Sequence, residues 1–133
     1  MPVKLVKLQA GDAFTIYALQ SGRDCPVANF LAEATTKTPD EVEKLIALID
    51  RTADHGIPKN KTKVNTLGDG LFEFKTSGGL RLIWFYDAGQ LIICTHGFVK
   101  KRQSTPKKEL RSARNAMKAY HTAKKAKKIS YDD

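Results

Sequence analysis

The sequence predicts an α+β fold with two layers: an N-terminal strand or hairpin, two helices, an antiparallel β-meander and a basic C-terminal helix. Three observations carry that reading. Between Leu67 and Lys108, three β-type runs are separated by short glycine turns. Between Thr38 and Pro58 lies one amphipathic stretch with helix start and stop signals. After Thr105 a narrow apolar stripe runs through a segment crowded with lysine and arginine.

Taken in order, Val3 to Leu8 alternates as a strand does, Gly11-Asp12 is a turn signal, and Phe14 to Leu19 is the returning strand. Ser21 to Pro26 is a loop, and Val27 to Ala34 a short helix. The next helix is better marked. Thr38-Pro39-Asp40-Glu41 offers a capping threonine, proline at the first helical position and glutamate three residues after the cap. Val42, Leu45, Ile46 and Ile49 then recur on one helical face, and Gly56 and Pro58 stop the helix after His55. Lys59 to Lys63 is a basic connection, from which Lys63 to Leu67 enters the sheet.

In the meander, Phe72 and Phe74 alternate with Glu73 and Lys75, the period of a half-buried strand. Thr76-Ser77-Gly78-Gly79 turns the chain into Leu80 to Tyr86, where Arg81 stands among apolar and aromatic residues. Asp87 to Gln90 turns it again into Leu91 to Val99, a nearly unbroken apolar run that suits a strand covered on both faces. Thr105-Pro106 then starts a helix whose stripe is Leu110, Ala113, Met117 and Tyr120. Lys107, Arg111, Arg114 and Lys118 line another side, where like charges repel unless an anion or acidic partner is near. The alanine-lysine tail from Ala119 onward is expected to fray.

At 133 residues the chain reads as one domain, 1–133, with its basic helix and tail from about residue 105. No segment has the order of a signal peptide, and no apolar run nears the roughly 20 residues needed to span a bilayer. Cys25 and Cys94 have no metal-ligand spacing and read as reduced thiols of a cytoplasmic protein. No phosphate loop, zinc pattern or hydrolase triad is present, since Gly68-Asp69-Gly70 is a turn.

Charge is distributed unevenly. Residues 1–99 hold 11 basic and 11 acidic side chains, whereas residues 100–133 hold 12 basic and 3 acidic, so the net charge of +9 lies in the last quarter. Such a one-sided field is the footprint of a polyanion binder. Lysines 124, 125, 127 and 128 fit equally well as a solvated tail, but Lys100, Lys101 and Arg102 directly follow a strand.

The order of elements resembles the RelE/ParE superfamily of small bacterial toxins, and the local sequence is most similar to its HigB-like, phage Gp49-like branch. Leu67-Gly68-Asp69-Gly70-Leu71-Phe72-Glu73-Phe74, Arg81 in its strand, and His96-Gly97-Phe98-Val99-Lys100-Lys101 followed by Thr105-Pro106 carry the resemblance. It covers about residues 40 to 120 and implies a RelE-like fold. It also implies the toxin of a type II toxin–antitoxin system: an mRNA endoribonuclease that acts in the ribosomal A site without metal or other cofactor. The 2′-hydroxyl attacks the adjacent phosphate, so cations must stabilise developing charge and move protons. A lysine set among other cations loses its proton more readily and can serve as base.

Carried over residue by residue, the resemblance implies that Arg81 contacts the scissile phosphate through planar paired donors. A salt bridge to Glu73 or Asp87 is its alternative reading. Lys100 and Lys101 match the basic pair after the last strand, as acid, base or charge stabiliser, or as plain phosphate steering. Lys75, Arg102, Lys107, Lys108, Arg111, Arg114 and Lys118 would hold RNA backbone, a salt-sensitive contribution. His96, inside an apolar run, reads better as a satisfied structural histidine than as a catalytic one. Tyr120 reads better as core than as a site residue, His55 as a contact with the helix dipole, and His121 is unplaced. The implied partners are mRNA, the ribosome and an antitoxin, a helix-turn-helix protein of the HigA type. Two other readings stand beside this one: a ParE-like gyrase inhibitor, and a catalytically silent phage-derived nucleic-acid binder.

Overall fold

In a computed structural model that describes residues 2–101 and 105–132, three helices pack on one mixed seven-stranded sheet. The order is β1 (Val3–Ala10), β2 (Thr15–Ser21), α1 (Pro26–Lys37), α2 (Pro39–His55), β3 (Val64–Gly68), β4 (Leu71–Lys75), β5 (Leu80–Asp87), β6 (Leu91–Val99), α3 (Lys107–Lys125) and β7 (Ile129–Asp132). The α+β class and the meander β3-β4-β5-β6 are as expected from sequence. Across the sheet the strands run β3-β4-β5-β6-β2-β1-β7.

Three features differ from the expectation. First, the sheet is mixed, because β2 joins β6 in parallel and β7 joins β1 in parallel. Second, β7 lies in the tail expected to fray, and α3 runs unbroken to Lys125. Third, helices cover both faces, giving three layers rather than two. On β5, Leu80, Leu82 and Trp84 enter a core with Leu45, Leu48 and Ile49 of α2, while Ile83 and Phe85 enter a second core with Ala113, Tyr120 and Ala123 of α3. Nearly every residue of that strand is apolar because each pleat has a helix to meet.

The α2 face holds the aromatic centre. Phe72 and Phe74 stack on Trp84 with centroids 4.7 and 5.1 Å apart, and Phe74 and Trp84 have no exposed surface. Burying a side chain of that size contributes about 2–3 kcal/mol each. On α2 itself, Val42, Leu45, Leu48 and Ile49 face the sheet, while Ile46 is turned out to solvent. Leu48 takes the place expected for Ile46, which sits one residue round from Leu45 and so turns about 100° away from the sheet.

Among the described residues no helix is long and apolar enough to cross a membrane. Both cysteines are free. Cys94 is buried, and burial pushes its thiol well above the usual range, with Cys25 adding repulsion.

Candidate functional site

The residues at the ends of three neighbouring strands form one row. The Lys75 backbone amide donates to Lys63 O at 2.8 Å, Lys75 pairs with Arg81, and Arg81 pairs with Phe98. One step further out, the Lys100 amide donates to Gly79 O at 2.8 Å, so the ladder continues past β6. Register therefore brings Lys75, Arg81 and Lys100 to one end of the sheet.

The turn between β4 and β5 is held from α2. Thr38 does not cap that helix through its side chain; its hydroxyl donates back to Ala34 O at 3.3 Å. Glu41, the expected partner in a capping box, reaches the turn instead. It accepts from the Gly78 amide at 2.5 Å and pairs with Lys44 at 2.7 Å. The hydrogen bond from Lys44, then that from Thr76, outweigh desolvation and hold the Glu41 carboxyl at about 2. Only glycine fits at this turn. A Cβ on Gly78 would fall 2.2 Å from the Glu41 side chain, and Gly79 has φ +99° with Lys100 O 3.1 Å from where its Cβ would be.

This fixed turn orients Arg81. One terminal guanidinium nitrogen donates to Thr76 O at 3.0 Å and to Leu80 O at 2.9 Å, and the buried Nε has no partner among the described residues. Neither Glu73 nor Asp87 pairs with it, so the salt-bridge alternative does not hold. Among the described residues Arg81 has no ion-pair partner, and the same is true of Lys100, Lys101, Lys107, Lys108, Arg111 and Lys118.

The start of α3 is tied to the same half of the sheet. Glu73, fully buried, accepts from the Thr105 hydroxyl at 3.1 Å, and its second oxygen is unpartnered. His96 stands two strands across from Glu73, with Ile83 between them. Its Nδ1 meets the Thr95 hydroxyl and its Nε2 meets Glu109 of α3, both at 3.1 Å. His96 is thus satisfied on both sides, and it docks the basic helix. Sequence reasoning missed Glu73, Thr105, Glu109 and Glu41 as positioning groups. A glutamate in the apolar alternation of β4 was the signal available for Glu73.

The remaining expected residues separate. The Lys75 ammonium leaves Arg81 and donates to Lys61 O at 3.1 Å in the connection before β3. Lys101, exposed, lines a cleft of about 690 Å³ between α1 and the end of β6, with Phe30, Lys37 and Val99. Lys107 and Lys108 stand exposed at the first turn of α3, and Arg111 one turn on. Arg114 is drawn toward Asp69 of the β3–β4 turn, 3.7 Å away, and Lys118 lies further along. Arg102 lies outside the described residues. Tyr120 is core: it packs edge-on against Phe85, and its hydroxyl donates to Asp87, far from Arg81. Burial, then that bond, raises its pKa beyond the usual tyrosine range.

No curated protein matches the chain. The family model described as Phage derived protein Gp49-like (DUF891) matches residues 16–118, a span from β2 into α3 that includes the whole strand-end row and its anchors. The chain belongs to this phage-derived Gp49-like family, which falls within the RelE/HigB-like toxin group.

Proposed function

We propose that the protein is the toxin of a type II toxin–antitoxin pair and cuts messenger RNA in the ribosomal A site. The observation that carries this reading is Arg81: half-buried, fixed by two turn carbonyls, and without an acidic partner among the described residues. A cation held in that way is suited to an anion from outside the chain.

In this reading the 2′-hydroxyl oxygen bonds to the neighbouring phosphorus and the bond from phosphorus to the 5′-oxygen breaks. A cyclic phosphate remains on one fragment and a 5′-hydroxyl on the other. Arg81 takes the charge that grows on the phosphoryl oxygens, where a preorganised donor acts most strongly. Lys100 and Lys101 are the groups for proton removal, proton return and further charge stabilisation. Lys107, Lys108 and Arg111 hold RNA backbone along the first turns of α3. The partner that restrains the toxin is an antitoxin presenting acidic side chains to this same cationic end.

Induced expression of the wild type and Arg81→Ala in bacteria, with 5′ ends of cellular messages mapped, tests the proposal. New cuts inside translated regions, absent in the variant, are expected. Growth arrest without cuts would move the reading to gyrase, and no arrest would leave a nucleic-acid binder without activity.

A further inference from the structure

The basic connection Lys59–Lys63 has no role in the chemistry above, yet the fold brings it to the same end of the sheet. Lys63, Lys75 and Arg81 stand in one row on three neighbouring chain segments. Strand spacing puts the backbones of Lys63 and Arg81 roughly 10 Å apart across the sheet. On the α2 side of that row, Lys44, Lys63, Lys75, Thr62 and Ser77 line a small cleft of about 150 Å³.

The polar groups of this cleft are mostly donors. Lys44 donates to Ser77 Oγ at 3.3 Å, which leaves the serine proton free to point into the cleft. Lys75 gives one of its three ammonium protons to Lys61 O. The Lys63 ammonium has no partner among the described residues. The one carboxylate nearby, Glu41, is engaged by Lys44, Thr76 and the Gly78 amide. With Lys44 paired to Glu41, Lys63 and Lys75 leave a positive surplus in a concave place, a setting that favours an anion.

We infer that this cleft binds a second phosphate of the RNA strand, flanking the one at Arg81, so that the strand crosses the ends of β5, β4 and β3. The inference rests on RNA being the substrate but not on its cleavage. The ligand is a single-stranded backbone phosphate; the contact carries no base preference.

The test uses the purified chain and an RNA dodecamer made uncleavable by 2′-O-methyl groups, with affinity read by fluorescence anisotropy over a salt series. Each phosphate contact to a single strand contributes a slope of about 0.7 in log K against log salt. Lys63→Ala is expected to lower the slope by that amount, and Lys63→Arg to restore it. Lys124→Ala, at the far end of the sheet, is expected to leave the slope unchanged. Thermal melts of each variant separate lost binding from lost folding. An unchanged slope in Lys63→Ala would overturn the inference, as would a wild type that binds no RNA. Dependence on Lys63 seen with an acidic peptide and not with RNA would also overturn it. If the cellular cuts never occur but the Lys63-dependent slope does, the nuclease reading fails and this site stands.

Discussion

The two ends of β5 use the same residue types in opposite ways. Arg81 stands at one end and Asp87 at the other, about 20 Å apart by strand rise. At the Asp87 end two cations are held by acids. Asp87 takes the Tyr120 hydroxyl and the Lys124 ammonium, the latter at 2.9 Å, and Arg114 lies 3.7 Å from Asp69 in the adjacent turn. Desolvation raises the pKa of Asp87, but the bonds from Tyr120 and Lys124 outweigh it and hold the carboxyl below its usual range. At the Arg81 end the acids are engaged elsewhere than on Arg81. Glu41 clamps the turn and pairs with Lys44, and Glu73 takes the Thr105 hydroxyl, so neither pairs with Arg81. Asp87 is engaged by its neighbours while Arg81 has no ion-pair partner among the described residues, and the proposed anion site rests on that difference.

Substitutions can separate the two ends. The largest effect is expected from Arg81→Ala, which should slow cleavage about 10²- to 10³-fold in a single-turnover assay, on the scale of losing one preorganised charge-stabilising donor. Its melting temperature should change little. Phe74→Ala, in the aromatic centre between the ends, should cost about 3–5 kcal/mol in denaturant unfolding and lower activity only by unfolding the chain. A smaller loss in that variant would mean that the stack on Trp84 repacks.

Glu41→Gln tests the clamp through pH. The folded carboxyl lies at about 2, below the 4.5 of an ordinary glutamate, so its contribution is complete above about pH 4.5 and is lost as pH falls toward 2. Melts of wild type and variant should therefore differ at neutral pH and converge in acid. Parallel curves at all pH values would show that the carboxylate does not hold the turn. The smallest effect is expected at the paired end: Tyr120→Phe removes one hydrogen bond to Asp87, costs about 1 kcal/mol and leaves cleavage unchanged.

The contrast was only partly legible in the sequence. Local signals placed the helix starting at Pro39, its end at His55 and all four strands of the meander, because proline, glycine turns and period-two alternation act over a few residues. The continuous apolar run of β6 already implied cover on both faces, but the layer on the second face needs α3, whose stripe of Leu110, Ala113, Met117 and Tyr120 is too narrow to show which face it meets. The strand Ile129–Asp132 was hidden because a short apolar residue after four lysines looks like a tail until β1 offers an edge. Parallel joins such as β2 to β6 leave no local mark at all. At the site, residue types located Arg81 and the lysines. Their partners were not legible, because Glu41 reaches the turn across 37 residues of chain and Thr105 reaches Glu73 across 32.

The most direct measurement compares the two ends in one reaction. A message is presented on ribosomes with an empty A site, and cleavage is timed with wild type, Arg81→Ala and Lys124→Ala. The account predicts cleavage at equal rates by wild type and Lys124→Ala, and its loss with Arg81→Ala while the melt of that variant stays near wild type. Cleavage by Arg81→Ala at the wild-type rate would contradict the assignment of the charged end as the centre of function.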